Sequence, residues 1–99
     1  MVKQLKQPKR INWHFVYLLK CSDRTLYCGS TNNFQRRLRE HNKGTAARYT
    51  RGRLPVKLVY LEKHSTLLSA RGREQEIKGW TKRKKLTLIK DNAHESLNR

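Results

Sequence analysis

Glu74 stands where packing would ask for a leucine. Turned at about 100° per residue, the segment after Thr66 lines up Leu67, Ala70 and Ile77 on one apolar stripe. Glu74 falls inside that stripe, while Glu76 points the opposite way, to water. An ionised carboxylate on a core-facing stripe must be ion-paired, hold a metal or open into a cleft. The plain alternative is a buried pair with an arginine. The preceding helical segment repeats the pattern: Phe34 and Leu38 mark its inward face, and Arg37 and His41 flank them as neighbours four residues apart. Arg36 and Arg39 point outward as a solvated basic face. A lone histidine beside an apolar stripe is commonly structural. Two helices that each put a chemically capable side chain where packing wants an apolar one point to a site between them and the sheet. Tyr17 and Tyr27 add hydroxyls; a three-residue turn between their strands would put them on one face, and a two-residue turn would split them. For a strand tyrosine, ordinary sheet packing is the competing reading. Gly29, two after Tyr27, weakens a strand and marks a bulge or a close approach by a ligand backbone.

The elements that must position these residues fit one domain, since the chain has 99 residues. No apolar run approaches the ~18 residues of a membrane span, and the basic N-terminus is not followed by a signal-peptide pattern. The expectation is a soluble, cytoplasmic chain with no membrane segment. Residues 1–12 read as a basic flexible arm, residues 13–90 as the folded domain and residues 91–99 as a polar tail. Trp13 to Cys21 holds a continuous apolar run, as expected of a strand covered on both faces. Ser22 to Thr25 has turn chemistry, and Leu26 to Thr31 completes a hairpin. Thr31, Asn32 or Asn33 caps a helix to about Lys43, stopped by Gly44. Thr45 to Arg53 reads as a loop, and Leu54 to His64 as a strand opened by Pro55. Ser65 or Thr66 caps a second helix to Gly79-Trp80, and Thr81 caps a short third one, Lys82 to Lys90, with Leu86 and Ile89 inward. The order β-β-α-β-α-α describes a small α+β domain with a three-stranded, mostly antiparallel sheet and flanking helices.

Charge narrows the partners. Lys plus Arg number 24 against 7 Asp plus Glu, a net +17, which asks for a polyanion. DNA is the expected one, and RNA fits the same charge. Lipid is disfavoured because no basic amphipathic helix with a wide apolar face is present. The basic candidates for backbone contact are Arg48, Arg51 and Arg53 in the loop and the run Lys82, Arg83, Lys84, Lys85. Cys21 and Cys28 are too few for a disulfide scaffold and lack the paired spacing of a zinc site.

Phe15-Val16-Tyr17, nine residues, then Tyr27-Cys28-Gly29 resembles the paired tripeptides of the GIY-YIG nuclease superfamily. The resemblance continues through Arg37, His41, Tyr49-Thr50-Arg51-Gly52, Pro55 to Tyr60 and Arg73 to Trp80, and is strongest to the small, stand-alone, single-domain bacterial branch. Phe15 and Cys28 replace motif glycine and isoleucine, Arg24 stands at a turn position often held by glycine, and Ser30 follows the second tripeptide where the repair branch has lysine. The resemblance implies a DNA endonuclease that uses one Mg²⁺ or Mn²⁺, in repair or recombination. It implies Tyr17, Tyr27, Arg37, His41 and Glu74 as catalytic residues, with Glu74 the metal ligand. In that chemistry Arg37 offers a planar fork to the phosphate. Tyr27 or His41 takes a proton from water, and Tyr17 orients water or phosphate. A basic nucleic-acid-binding module without chemistry is the competing class.

Overall fold

The computed structural model describes residues 12–97 and has the expected α+β architecture. Its elements are β1 (His14–Lys20), β2 (Leu26–Thr31), α1 (Phe34–Asn42), α2 (Arg48–Arg51), β3 (Lys57–His64), α3 (Leu67–Lys78) and α4 (Lys82–Leu97). The antiparallel sheet has the order β2-β1-β3. The continuous apolar run is thus the central strand. Val16 and Leu18 pack with Cys28, Ala70 and Ile77 on one face. Tyr17 and Leu19 pack with Cys21, Val56, Leu38 and Leu58 on the other. Alternation along β1 therefore sends its odd residues under α1 and its even residues under α3 and α4.

The hairpin decides whether the two tyrosines can cooperate. Tyr17 pairs with Gly29 and Leu19 with Tyr27, so both tyrosines face the α1 side. Their connection is a five-residue loop, odd in length like the three-residue turn that keeps them together. Arg24 adopts φ 71°, the left-handed conformation that glycine takes without strain. Asp23 closes the loop by accepting the Thr25 amide (3.1 Å) and hydroxyl (2.6 Å) and the Arg53 Nε (2.9 Å).

Asn33 caps α1 by accepting the Arg36 amide, and Thr66 caps α3 by accepting the Ser69 amide, as expected of these residue types. Four expectations change. The loop at 45–53 contains the helical turn α2, held by the Thr50 hydroxyl bonding back to the Ala47 carbonyl (3.2 Å) and ended at Gly52. β3 opens at Lys57 rather than Leu54, because Pro55 has no amide to donate and the Val56 amide is taken by Asn42 Oδ1 (2.8 Å). Leu67 and Leu86 are about half exposed; Leu88 and Ile89 make the α4 contact with the sheet. The helix expected to end at Lys90 runs to Leu97, since residues 91–97 contain neither glycine nor proline to stop it. The proposed polar tail is thus helical as far as Leu97. The basic arm, apart from Asn12, lies outside the described residues.

Candidate active site

Three of the five predicted catalytic residues meet on the α1 face of the sheet. The Tyr17 hydroxyl is 2.9 Å from His41 Nε2, and the ring centroids of Tyr17 and Tyr27 lie 6.4 Å apart. Tyr27 lies edge-on to His41 (5.2 Å) and beside Tyr49 (5.9 Å). Burial, then the neighbouring Tyr27 phenol, pushes the Tyr17 hydroxyl well above the ordinary phenol range, with Arg37 opposing. His41 is 1% exposed. Burial and the Arg37 charge hold its imidazole below the ordinary histidine range, so it is neutral at physiological pH.

Gly29 explains how Tyr17 reaches that position. A Cβ there would lie 2.5 Å from the Tyr17 hydroxyl oxygen and 2.6 Å from its Cζ. The close approach at this glycine is therefore made by the phenol of the facing strand rather than by the ligand backbone expected there, and the strand pairs without a bulge. Gly29→Ala is expected to push Tyr17 off His41. Overpacking of this kind costs roughly 1–3 kcal/mol. Urea unfolding would register that loss, and activity would fall with it; wild-type stability would show that the ring has room to yield.

Glu74 approaches from the opposite face. The helical stripe assigned it correctly: its side chain is 14% exposed, against 57% for Glu76. Its partners are the Ser30 hydroxyl (2.5 Å) and Lys78 Nζ (2.7 Å), not an arginine. Burial pushes the Glu74 carboxyl up, but hydrogen bonds from Lys78 and Ser30 outweigh it and hold the group below the usual carboxylate range. The sequence places the site between the two helices and the sheet, and the topology decides on which faces. α1 and α3 cover opposite faces, so Glu74 and the Tyr17–Tyr27–His41 group lie on different sides of the sheet, with β2 at its edge. There an open groove of about 340 Å³ is lined by Ser30, Asn32, Arg36, Arg37, Ala70 and Arg71. Arg37 is held by Glu40 Oε1 at 3.1 Å. Arg36, expected to face only water, therefore shares the groove wall.

The basic candidates divide. Arg48 and Arg51 are exposed and line a hollow of about 410 Å³ with Gly44 and residues 45–47. Arg53 is committed to Asp23, to the Tyr49 carbonyl (2.7 Å) and to the Tyr49 ring, 4.1 Å from its centroid. It clamps α2 to the hairpin. In the α4 run, Lys82 and Arg83 are exposed, Lys84 lies 4.3 Å over the Trp80 ring and Lys85 is partly buried. Burial pushes the Cys28 thiol up to about 11, consistent with a packing role. Sequence reasoning missed Thr50 and Lys78. Lys78 was findable, four residues after Glu74 on the same helix.

A sequence pattern for the GIY-YIG catalytic domain matches residues 13–87. A UPF0213 protein of Haloquadratum walsbyi is 49% identical over 82 residues, 83% of this chain and 92% of that protein. One from Clostridium perfringens is 47% identical over 85 residues, 86% of this chain and 91% of that protein. The solution NMR structure of a UPF0213 protein from Bacillus halodurans matches with TM-score 0.53 and 38% identity, over 79% of this chain and 83% of that one. The solution NMR structure of an E. faecalis protein matches with TM-score 0.56 and 38% identity, over 80% and 84%.

Proposed function

The chain belongs to the GIY-YIG catalytic-domain family, and we propose that it is an endonuclease that hydrolyses DNA phosphodiester bonds with Tyr17, Tyr27, Arg37, His41 and Glu74 at its centre. Domains of this family are nuclease domains with nucleic-acid substrates, and they generally use a divalent metal. A role in repair or recombination on branched or damaged DNA extends that reading. The observation that carries it is the arrangement around edge strand β2: the Tyr17–His41 pair with Tyr27 on one side, and on the other a partly buried Glu74 bonded to Ser30, which lines an open groove with Arg36, Arg37 and Arg71.

The donor chemistry suits a hard cation, Mg²⁺ or Mn²⁺. Glu74 offers carboxylate oxygens with the Ser30 hydroxyl oxygen beside them. Among the described residues no group of three or more His, Cys, Asp or Glu is assembled for a metal, so water and substrate oxygens would complete the shell around Glu74. Once bound, the ion supplies charge neutralisation at the phosphoryl oxygens. Arg37, at the groove wall, pairs with the phosphate. Tyr27, acting as its phenolate, takes the proton of the attacking water and becomes the neutral phenol. Its hydroxyl makes no hydrogen bond among the described residues, whereas both nitrogens of His41 are occupied and buried.

One observation favours a second reading, a nucleic-acid-binding module that keeps the fold. Lys78 neutralises Glu74, so the carboxylate need not repel a phosphate. No helix among the described residues is long and apolar enough to cross a membrane. Incubation with nicked, flapped, branched and linear DNA in Mg²⁺, Mn²⁺ or EDTA separates the readings: cleavage lost in EDTA supports the nuclease, and binding without cleavage under every condition supports the module.

In either case Arg48 and Arg51 are expected to grip the backbone. Replacing each by glutamine should lower the slope of log Kd against log salt by about 0.7–0.9 per lost contact, equally for all sequences. Arg53→Gln should instead reduce stability, because it breaks the clamp to Asp23 and Tyr49. An unchanged slope for the double variant would place the DNA elsewhere.

A further inference from the structure

Behind Tyr17 and His41 stands a third buried hydroxyl. Thr50 is 0% exposed, and its Oγ1 lies 2.9 Å from His41 Nδ1 and 3.2 Å from the Ala47 carbonyl. A hydroxyl has one proton. A carbonyl oxygen can only accept, so the Thr50 proton is spent on Ala47, the back-bond that also closes the α2 turn. Thr50 Oγ1 can then only accept from His41, which places the imidazole proton on Nδ1. Nε2 is left bare, and at 2.9 Å it must accept the Tyr17 hydroxyl proton. The hydrogen bonds run one way, from Tyr17 to His41 to Thr50 to the Ala47 carbonyl.

We propose that Thr50 is a positioning residue that fixes the His41 tautomer and thereby turns the Tyr17 hydroxyl proton away from the cleft. Any group that reaches the Tyr17 oxygen, 3% exposed in this structure, then meets lone pairs only. An acceptor can orient a water molecule, which donates to it, but it repels a phosphate oxygen. Of the two roles open to Tyr17, the chain selects water positioning. With the other tautomer, Nε2–H would donate to Tyr17 and free its proton for a phosphate oxygen. The proposal rests on the nuclease reading for its catalytic consequence, but not for the tautomer itself.

Nitrogen-15 NMR of the imidazole separates a protonated ring nitrogen from a bare one without any assay of cleavage. The expected result is a protonated Nδ1 in the wild type. In Thr50→Val, which keeps the shape and removes the hydroxyl, the proton should move to Nε2 or be shared. Thr50→Ser should restore the wild-type spectrum, and it also serves if the valine variant folds poorly. In cleavage assays Thr50→Val should lower kcat by about 10- to 100-fold through misorientation and leave KM nearly unchanged, with recovery in Thr50→Ser. An Nε2-protonated wild type, or a valine variant with an unmoved tautomer, would overturn the proposal. A wild type that shows the Nδ1 tautomer but cleaves no DNA would count against the nuclease reading and uphold the role of Thr50.

Discussion

Glu74→Ala is expected to remove metal-dependent cleavage, by about 10³-fold or more, while DNA binding stays intact or tightens. Several kcal/mol of charge stabilisation at the phosphoryl oxygens depend on the metal, and Glu74 is the carboxylate proposed to hold it. The same substitution removes a negative charge from beside a groove walled by Arg36, Arg37 and Arg71, which Glu74 adjoins through Ser30. The fold should survive. Lys78, the partner left behind, is 42% exposed and can turn to water, so the lost ion pair is worth at most ~1 kcal/mol. Ser30 is likewise partly open and can rebind water. Glu76→Ala is the control: it breaks only an exposed pair with Arg73, which keeps Glu62 at 3.0 Å. Cleavage by gel assay and binding by fluorescence anisotropy, on the same preparations, decide the matter. Activity lost in Glu76→Ala and kept in Glu74→Ala would show that the helical stripe misassigned the ligand.

The Glu74 assignment was open to sequence reasoning because helical period separates one face from another two residues away. What period cannot report is which face of a sheet a helix covers. α1 and α3 each bury one stripe, and only the fold shows that the stripes meet opposite faces of β1. The candidate residues thus lie on both sides of the sheet rather than on one. The central position of β1 was legible, since only a strand covered on both faces tolerates Phe15 to Leu19 without a polar break. Leu67 and Leu86 misled because they sit in the first or second turn of their helices, where the stripe still looks apolar but the side chains are half exposed. Arg48, Arg51 and Arg53 look equivalent in the sequence. The difference lies in Asp23, thirty residues from Arg53, and no local pattern encodes that contact. Thr50 falls within the Tyr49-to-Gly52 match, but its contact was silent for a related reason: nothing local tells that His41 arrives from the preceding helix.

The two motif tyrosines should respond differently to loss of a hydroxyl. Tyr17→Phe leaves His41 Nε2 buried with no donor, and an unsatisfied buried group costs about 1–3 kcal/mol. Tyr27→Phe orphans nothing among the described residues, and the ring contacts to His41 and Tyr49 remain. Its stability should stay within ~0.5 kcal/mol of the wild type, the range of a change that disturbs no buried partner. Its cleavage rate should nevertheless fall by about 10²- to 10⁴-fold, the usual contribution of a positioned proton acceptor. Binding to DNA should change little, because the substitution removes one oxygen and no cationic contact to the backbone. A variant that is stable, binds DNA and does not cut would support the base at Tyr27. His41 is the only other candidate, yet its two nitrogens are engaged by Tyr17 and Thr50, and at 1% exposure it meets no water. Urea unfolding and single-turnover cleavage of Tyr17→Phe and Tyr27→Phe, compared side by side, test this division. Wild-type rates in Tyr27→Phe would sink it, and would require the Tyr17–His41 pair to open during the reaction so that the imidazole could take the proton.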